Sequence, residues 1–427
     1  MAAVEALGAT EASRFLDSLR MRTLVTRRLA SVANPSRTVA ECLAALSSTV
    51  ARLDRMHGAL EANLERLDQT ARKLGIPIFG GKGISAHTTY ADRSVRDFND
   101  LDVFVRDHAD AVALSKVLRE EFGYRYQVFE LPWFKLDPSD SMVYGQIALV
   151  APEDDGDLLN TDIHFGDYSV RHCGRLHITG IFHAAQPGFH IVPLEENLAC
   201  IVNNAAGDYF VTAKDTNDLL MALSLPAFDP RRLAGLLRRS HLDGFFGAIV
   251  AMLRGSSVLT EEQQRRLRAL PTSRTLEPPP RPDTPSWNRR CLGTVVHAFA
   301  TRRGDGLLGA AKVALNAFDY YRKPLKLTVA PDPAGPPDKL IGFNPWTCIR
   351  LVPIDLALGL LDTPPSVEHA NAPAATSSVD GDPDFERLDV PAGTYFRIGD
   401  EFFVATVDYR LTRDLVGHAA GAAVEAR

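Results

Sequence analysis

The sequence predicts an α+β fold: a mixed sheet with a long N-terminal helix, a following helical region and a small β-leaning C-terminal module. Three observations lead there. Residues 38–74 space their apolar side chains in alternating steps of four and three; residues 75–170 are a series of short apolar runs around one helical segment; and from Pro193 the period lengthens to that of amphipathic helices.

The helix begins near Thr38, with Glu41 three positions on as a capping-box pair, and ends at Leu74 before Gly75. Its stripe is Leu46, Val50, Leu53, Leu60, Leu64, Leu67, Ala71 and Leu74, with His57 filling one slot as a core histidine. That stripe must be buried, either on the protein's own body or in a homodimer seam through residues 38–74. Next, IPIFGG (Ile76 to Gly81) reads as a buried strand entering a tight loop, and Leu101 to Val105 as a second strand. Residues 108–122 read as a helix stopped by Gly123, and strands follow within Tyr124 to Leu136, Met142 to Val150 and Leu159 to Phe165. Helices are expected over Leu194 to Asn204, Lys214 to Leu225 and on to about Leu270.

At 427 residues the chain exceeds what one core usually organises. The expected division is a helical region (1–74), a sheet domain (75–192), a helical domain (193–270), a proline-rich linker (271–289) and a helix plus β-rich module (290–427). In the last part a helix near Arg290 to Tyr321, a loose segment from Pro364 to Asp384 and a hairpin turning at Gly399-Asp400 are expected. A net charge of −6 and a pI near 6.1 give no footprint for duplex DNA. Five scattered cysteines without a CxxC pair suit a reducing compartment, and no apolar run approaches a membrane span or an export signal, so a cytoplasmic location is expected.

The chemistry is concentrated in GGKGISAHTTYADRSVRDFNDLDVFV, residues 80–105. Asp100 and Asp102 lie two apart on a strand, so both carboxylates share a face while Leu101 and Val103 take the other. Carboxylates so placed repel unless a cation lies between them, and magnesium prefers such oxygen ligands together with phosphate and water. Removing one of those charges is therefore expected to be neutral or stabilising to the metal-free protein. Asp162, in LLNTDIHFGD, is the third ligand, sharing its strand face with His164. Upstream, Gly80, Gly81 and Gly83 bracket Lys82 directly after a strand, where backbone N–H groups can approach phosphate; Ser85 adds a hydroxyl. His172, Cys173, His177, His183 and His190 crowd one segment, but their spacing is not that of a closed zinc site. Trp133, Phe134, Trp287 and Trp346 read as core or interface aromatics.

The run GIPIFGGKG, then Tyr90, Arg96, Asp100-Leu101-Asp102 and Asp162-Ile163-His164-Phe165, closely resembles the uncharacterised nucleotidyltransferase family of the DNA-polymerase-beta-like superfamily. A second stretch, AKDTNDLL (213–220), resembles a helix motif of the abortive-infection and toxin nucleotidyltransferases, in which the lysine and aspartates lie close to the nucleotide. The likenesses cover about residues 60–225 and depart from the superfamily's usual Gly-Ser signature, which is Gly-Gly-Lys-Gly here. They imply a polymerase-beta-like mixed sheet and a magnesium-dependent nucleotidyltransferase. Asp100, Asp102 and Asp162 would be the catalytic and metal-binding residues, and Gly81, Lys82, Gly83, Ser85, Arg96, Lys214 and Asp218 would bind the nucleotide, with Asp215 a lesser candidate. In this reading Asp218 holds Lys214 against a phosphate. ATP or another NTP would be the donor and Mg2+ the cofactor. The acceptor stays open between a small molecule, which is favoured, a protein side chain and a tRNA 3′ end. A non-catalytic nucleotide-binding scaffold is the alternative from another class.

Overall fold

The computed structural model describes residues 2–137, 139–153, 157–170, 175–208, 211–254, 259–270, 311, 327–330, 348–361, 375–379, 381–407 and 409–426. The expected linker 271–289, nearly all of the expected helix 290–321, and His172, Cys173, Trp287 and Trp346 lie outside them.

The strands are β1 (Pro77–Gly80), β2 (Leu101–Val105), β3 (Arg125–Tyr126), β4 (Trp133–Asp137), β5 (Met142–Val150), β6 (Thr161–Phe165), β7 (Gly188–Ile191), β8 (Thr328–Ala330), β9 (Ile349–Pro353), β10 (Ala375–Val379), β11 (Asp382–Val390), β12 (Gly393–Ile398), β13 (Glu401–Thr406) and β14 (Arg410–Thr412). Among the described residues twelve of them form one mixed sheet in the order β10-β11-β12-β13-β9-β4-β5-β6-β2-β1-β7, with β3 beside β5, while β14 and β8 pair separately. The protein is thus α+β with a large mixed sheet.

Alternation along β2 and β6 explains how the sheet separates two cores. Leu101, Val103, Val105, Ile163 and Phe165 enter the core shared with the long helix, whereas Phe104 belongs to the core shared with the helices that follow residue 193. Asp102, at the same strand parity as Phe104, therefore lies on the helix-covered face. Both strands are interior to the sheet, between β1 and β5, so their backbones are held from both sides.

The long helix runs Arg37–Leu74 and ends at Gly75, whose φ of 70° suits a residue without Cβ. Its cap is Ser36, which accepts from the Val39 N–H at 3.2 Å; Thr38 lies inside the helix, and Glu41 pairs with Arg37 at 2.8 Å instead of closing a capping box. Leu53, Leu60, Leu67 and Ala71 pack on the sheet core, and Val39, Cys42 and Leu46 on the N-terminal helices Ala2–Leu7, Ala9–Ser18 and Arg22–Ala30. The chain itself thus covers the stripe that a dimer seam would use. His57 is stacked on His87 with centroids 5.3 Å apart, but both of its ring nitrogens are buried without a hydrogen-bond partner, unlike the satisfied core histidine expected.

Two further expectations change. The described β-strands β9 to β13 of the C-terminal part are not separate from the sheet of residues 77–191: β9 pairs with β4 through Trp133↔Arg350 and Phe134↔Ile349, extending the same sheet. Part of the segment expected to be loose forms β10 and the start of β11. Ala375 to Ser378 are exposed, and a polar edge strand of that kind gives little periodic signal. The hairpin at Gly399-Asp400 joins β12 to β13 as expected, Ile398 facing Glu401 and Gly399 at φ 59°.

Candidate active site

Parallel pairing of β2 with β6 sets Asp102 opposite Asp162 and Phe104 opposite His164. One carboxylate oxygen each from Asp102 and Asp162 and one ring nitrogen of His164 lie within 4.8 Å of one another; among the described residues no other group of three His, Cys, Asp or Glu side chains is so close. Asp100 is half-buried, immediately before the first residue of β2. Its carboxylate is outside that trio, where the sequence reading had placed it in preference to His164. Its charge nevertheless reaches the others: it is among the causes that raise Asp162.

Lys82 supplies the cation. Its Nζ lies 2.6 Å from Asp102 Oδ1 and 5.2 Å from the centroid of Tyr168. Burial works against the ammonium form, but Asp102, Tyr168, Asp162 and Asp100 outweigh it and hold Lys82 well above its ordinary value. The same Asp102 oxygen is 3.1 Å from His164 Nε2. Burial pushes Asp102 up, yet Lys82 and the His164 hydrogen bond bring it down to about 2. Burial and Lys82 lower His164 to about 4, so the ring is neutral; facing an ionised oxygen, Nε2 carries the proton and the buried Nδ1 is a lone pair without a partner. Burial and then Asp102 raise Asp100 to about 6, and burial with Asp100 and Asp102 raises Asp162 well above the usual range. Gln146 donates to Asp162 Oδ2 at 2.9 Å.

The glycine-rich turn has a packing reason that its sequence did not reveal. A Cβ on Gly81 would sit 2.2 Å from the Phe104 ring, and one on Gly80 2.5 Å from Phe189. The Gly81 N–H donates to the Asp102 carbonyl at 2.9 Å, so this amide extends the β1–β2 pairing and is not free for phosphate. Lys82, not a glycine, holds the left-handed position, at φ 43° and ψ −110°. Asn197 donates to the Lys82 carbonyl at 3.2 Å. The Ser85 hydroxyl, buried, donates to the Val192 carbonyl at 2.9 Å and ties the turn to the start of helix Leu194–Asp208.

Arg96 and Asp218 are partners of each other. Two hydrogen bonds of 2.7 Å join the guanidinium to the carboxylate, Tyr90 donates to the same carboxylate at 2.7 Å, and all three side chains are buried. Asp218 therefore holds Arg96 and not Lys214. Asp215 closes a capping box with Thr212 at the start of helix Ala213–Ser224. Lys214, half-buried, has no hydrogen-bonded or ion-paired side-chain partner among the described residues; burial, followed by Arg96, lowers its pKa.

Sequence reasoning missed Gln146, Tyr168 and Asn197. Gln146 was the most visible, a polar residue inside the apolar run MVYGQIALV. The other two lie on a loop and a helix whose approach to Lys82 depends on tertiary packing. Among the described residues, the histidines of the histidine-rich segment do not converge: His177 Nδ1 is 2.9 Å from Asp167, His190 Nε2 is 2.8 Å from the Gln186 carbonyl, and His183 is exposed.

The donor set fits a divalent cation. Asp102 and Asp162 present their carboxylates from neighbouring interior strands with Asp100 just before β2, Lys82 bonds Asp102, and burial followed by the neighbouring acids raises Asp100 and Asp162. Among the described residues no helix is long and apolar enough to cross a membrane.

No protein-family model and no curated protein matches the chain. Among solved structures it is similar to MenT4, a nucleotidyltransferase toxin from Mycobacterium tuberculosis H37Rv, at 16% identity, covering 71% of this chain and 99% of that one with a TM-score of 0.24.

Proposed function

We propose that the protein is a magnesium-dependent nucleotidyltransferase of polymerase-beta-like fold, taking a nucleoside monophosphate from ATP or another NTP to an acceptor of small-molecule class with release of pyrophosphate. The observation that carries this reading is the pairing of Asp102 with Asp162 on adjacent parallel strands, with Lys82 bonded to Asp102 at 2.6 Å. Asp100, Asp102 and Asp162 would hold the metal. Magnesium, when bound, offsets the phosphate charge and eases deprotonation of the acceptor hydroxyl.

The chain's own groups do the rest. Asp162, on β6 directly opposite Asp102, would stand beside the acceptor hydroxyl, holding the ion that lowers its pKa or accepting its proton. His164 and Gln146 each hold one carboxylate by a hydrogen bond, which fixes where the negative charge is presented. The triphosphate offers Lys82 a second anion beside Asp102. Arg96 and Asp218 lock the helix Ala213–Ser224 to the loop before β2.

The test is pyrophosphate release from each NTP with magnesium and a panel of acceptors. Wild type should release it with at least one acceptor, and Asp102→Asn should be slower by about 100-fold or more. Undiminished turnover in Asp102→Asn would end this reading.

A further inference from the structure

Alternation along β6 puts His164 on the same face as Asp162, and the parallel register with β2 sets that face beside Asp102. The three side chains converge from two adjacent strands, each with one donor atom within 4.8 Å of the other two. Asp100 stands outside this trio, one residue before β2 begins. Aromatic rings restrict the imidazole: Phe104 lies 5.0 Å away at 31° and Tyr168 5.1 Å away at 81°, and all three rings are buried.

We propose that His164 is itself a metal ligand, and that Asp102, Asp162 and His164 together hold a divalent first-row transition ion of the manganese kind. This rests on the nucleotidyltransferase reading above and names the resident ion of that same site. Magnesium entering with a triphosphate then falls to Asp100 and Asp102.

The spacing suits ligation. Around an octahedral ion with bonds of about 2.1 Å, neighbouring ligand atoms lie about 3.0 Å apart. His164 Nε2 is 3.1 Å from Asp102 Oδ1. A hydrogen bond alone accounts for less of the arrangement. Asp102 Oδ1 already takes the Lys82 ammonium at 2.6 Å, and at Asp162 a plain amide, Gln146, does the holding at 2.9 Å. An imidazole differs from an amide in offering a nitrogen lone pair. Iron and manganese sites combine carboxylates with imidazole, whereas magnesium keeps to oxygen ligands and water. The ring can supply that lone pair at Nε2. Nδ1 is buried with no hydrogen-bond partner among the described residues, so no acceptor there fixes the tautomer, and the ring proton can pass from Nε2 to Nδ1.

The experiment is pulsed EPR of the full chain loaded with Mn2+ alone, run beside pyrophosphate release from NTPs with each ion. Wild type should show the coupling of a directly bonded nitrogen. His164→Gln keeps a side-chain N–H to face Asp102 but no imidazole, so it should lose that coupling and bind Mn2+ about tenfold more weakly, with Mg2+ binding little changed. Asp162→Asn, which keeps His164, should lose the bound Mn2+ and the coupling with it, and so ties the nitrogen to this site even where His164→Gln fails to fold. Thermal melts check the folding of each variant. Bound Mn2+ without nitrogen coupling in wild type, or coupling that persists in folded His164→Gln, overturns the ligand role and, with pyrophosphate release intact, leaves the transferase reading standing. A wild-type chain that binds no Mn2+ yet releases pyrophosphate does the same. One that binds no Mn2+ and releases no pyrophosphate with either ion overturns both.

Discussion

At Arg96 and Asp218 one buried cation meets one buried carboxylate through two hydrogen bonds, and Tyr90 adds a third. In the turn after β1, Lys82 bonds Asp102 and is also reached by the charges of Asp162 and Asp100. The first cluster is electrically closed, so it can serve as a brace. The second keeps an excess of negative charge in a poorly solvated place, which is costly unless a cation is supplied. Burial is common to both; charge balance separates the structural cluster from the one shaped for a ligand.

The largest effects should come from setting the two central acids against each other. The sequence reading treated loss of either charge in the DxD pair as neutral or stabilising. For Asp102 the structure argues the other way, because Lys82 and His164 hold its ionised form. Asp102→Asn should remove turnover and also destabilise the metal-free protein by about 1–3 kcal/mol, because it leaves a buried ammonium without its bonded carboxylate. Asp162→Asn should remove turnover too, but leave metal-free stability unchanged or raised, because it deletes a charge that burial opposes. Urea denaturation with and without magnesium reads both. Wild type should gain stability with the ion by mass action, and Asp162→Asn should lose that gain. Equal destabilisation by the two substitutions would erase the distinction.

The closed cluster makes the opposite prediction. Asp218→Leu should cost about 3–5 kcal/mol by stranding Arg96, while Arg96→Met with Asp218→Leu together should recover most of that loss. A double variant no more stable than the single one would show that this pair does more than brace the helix.

Much of this was legible in the sequence, and the gaps follow a rule. Period-two spacing was enough to put Asp102 on one face, and DIHF enough to put His164 beside Asp162. Strand limits and the Gly399-Asp400 turn rest on local residue preferences, so they could be read directly. Partner choice could not. Arg96, Lys214 and Asp218 were each visible, yet which cation takes Asp218 depends on how a helix more than a hundred residues away packs on the loop. Gly81 looked like a phosphate turn because glycine has the same letter whether a ligand or the Phe104 ring approaches it. The join of β9 to β4 was hidden for the same reason, since edge pairing between distant segments leaves no periodic mark on either.

The smallest effect sharpens the comparison from a third side. His57 and His87 stack at 5.3 Å, with Phe98 edge-on to both rings, and among the described residues no carboxylate bonds either ring. Here burial is resolved neither by pairing nor by a ligand but by staying neutral. Burial, then His57, Arg93 and Arg96, hold His87 down to about 4; burial lowers His57 as well, with Asp97 and Asp54 pulling the other way. In the unfolded chain both return toward about 6.5. Between pH 6.5 and 4 the unfolded state therefore binds protons that the native state refuses, so stability rises with pH across this window and is lost as pH falls through it. His87→Phe keeps an aromatic ring beside Phe98 and removes one of the two titrations. Urea denaturation at pH 7 and pH 5 should show a smaller acid loss in this variant than in wild type, because the carboxylates titrate alike in both. An identical acid loss in the two proteins would mean that His87 is protonated in the native state, and that this part of the core tolerates charge after all.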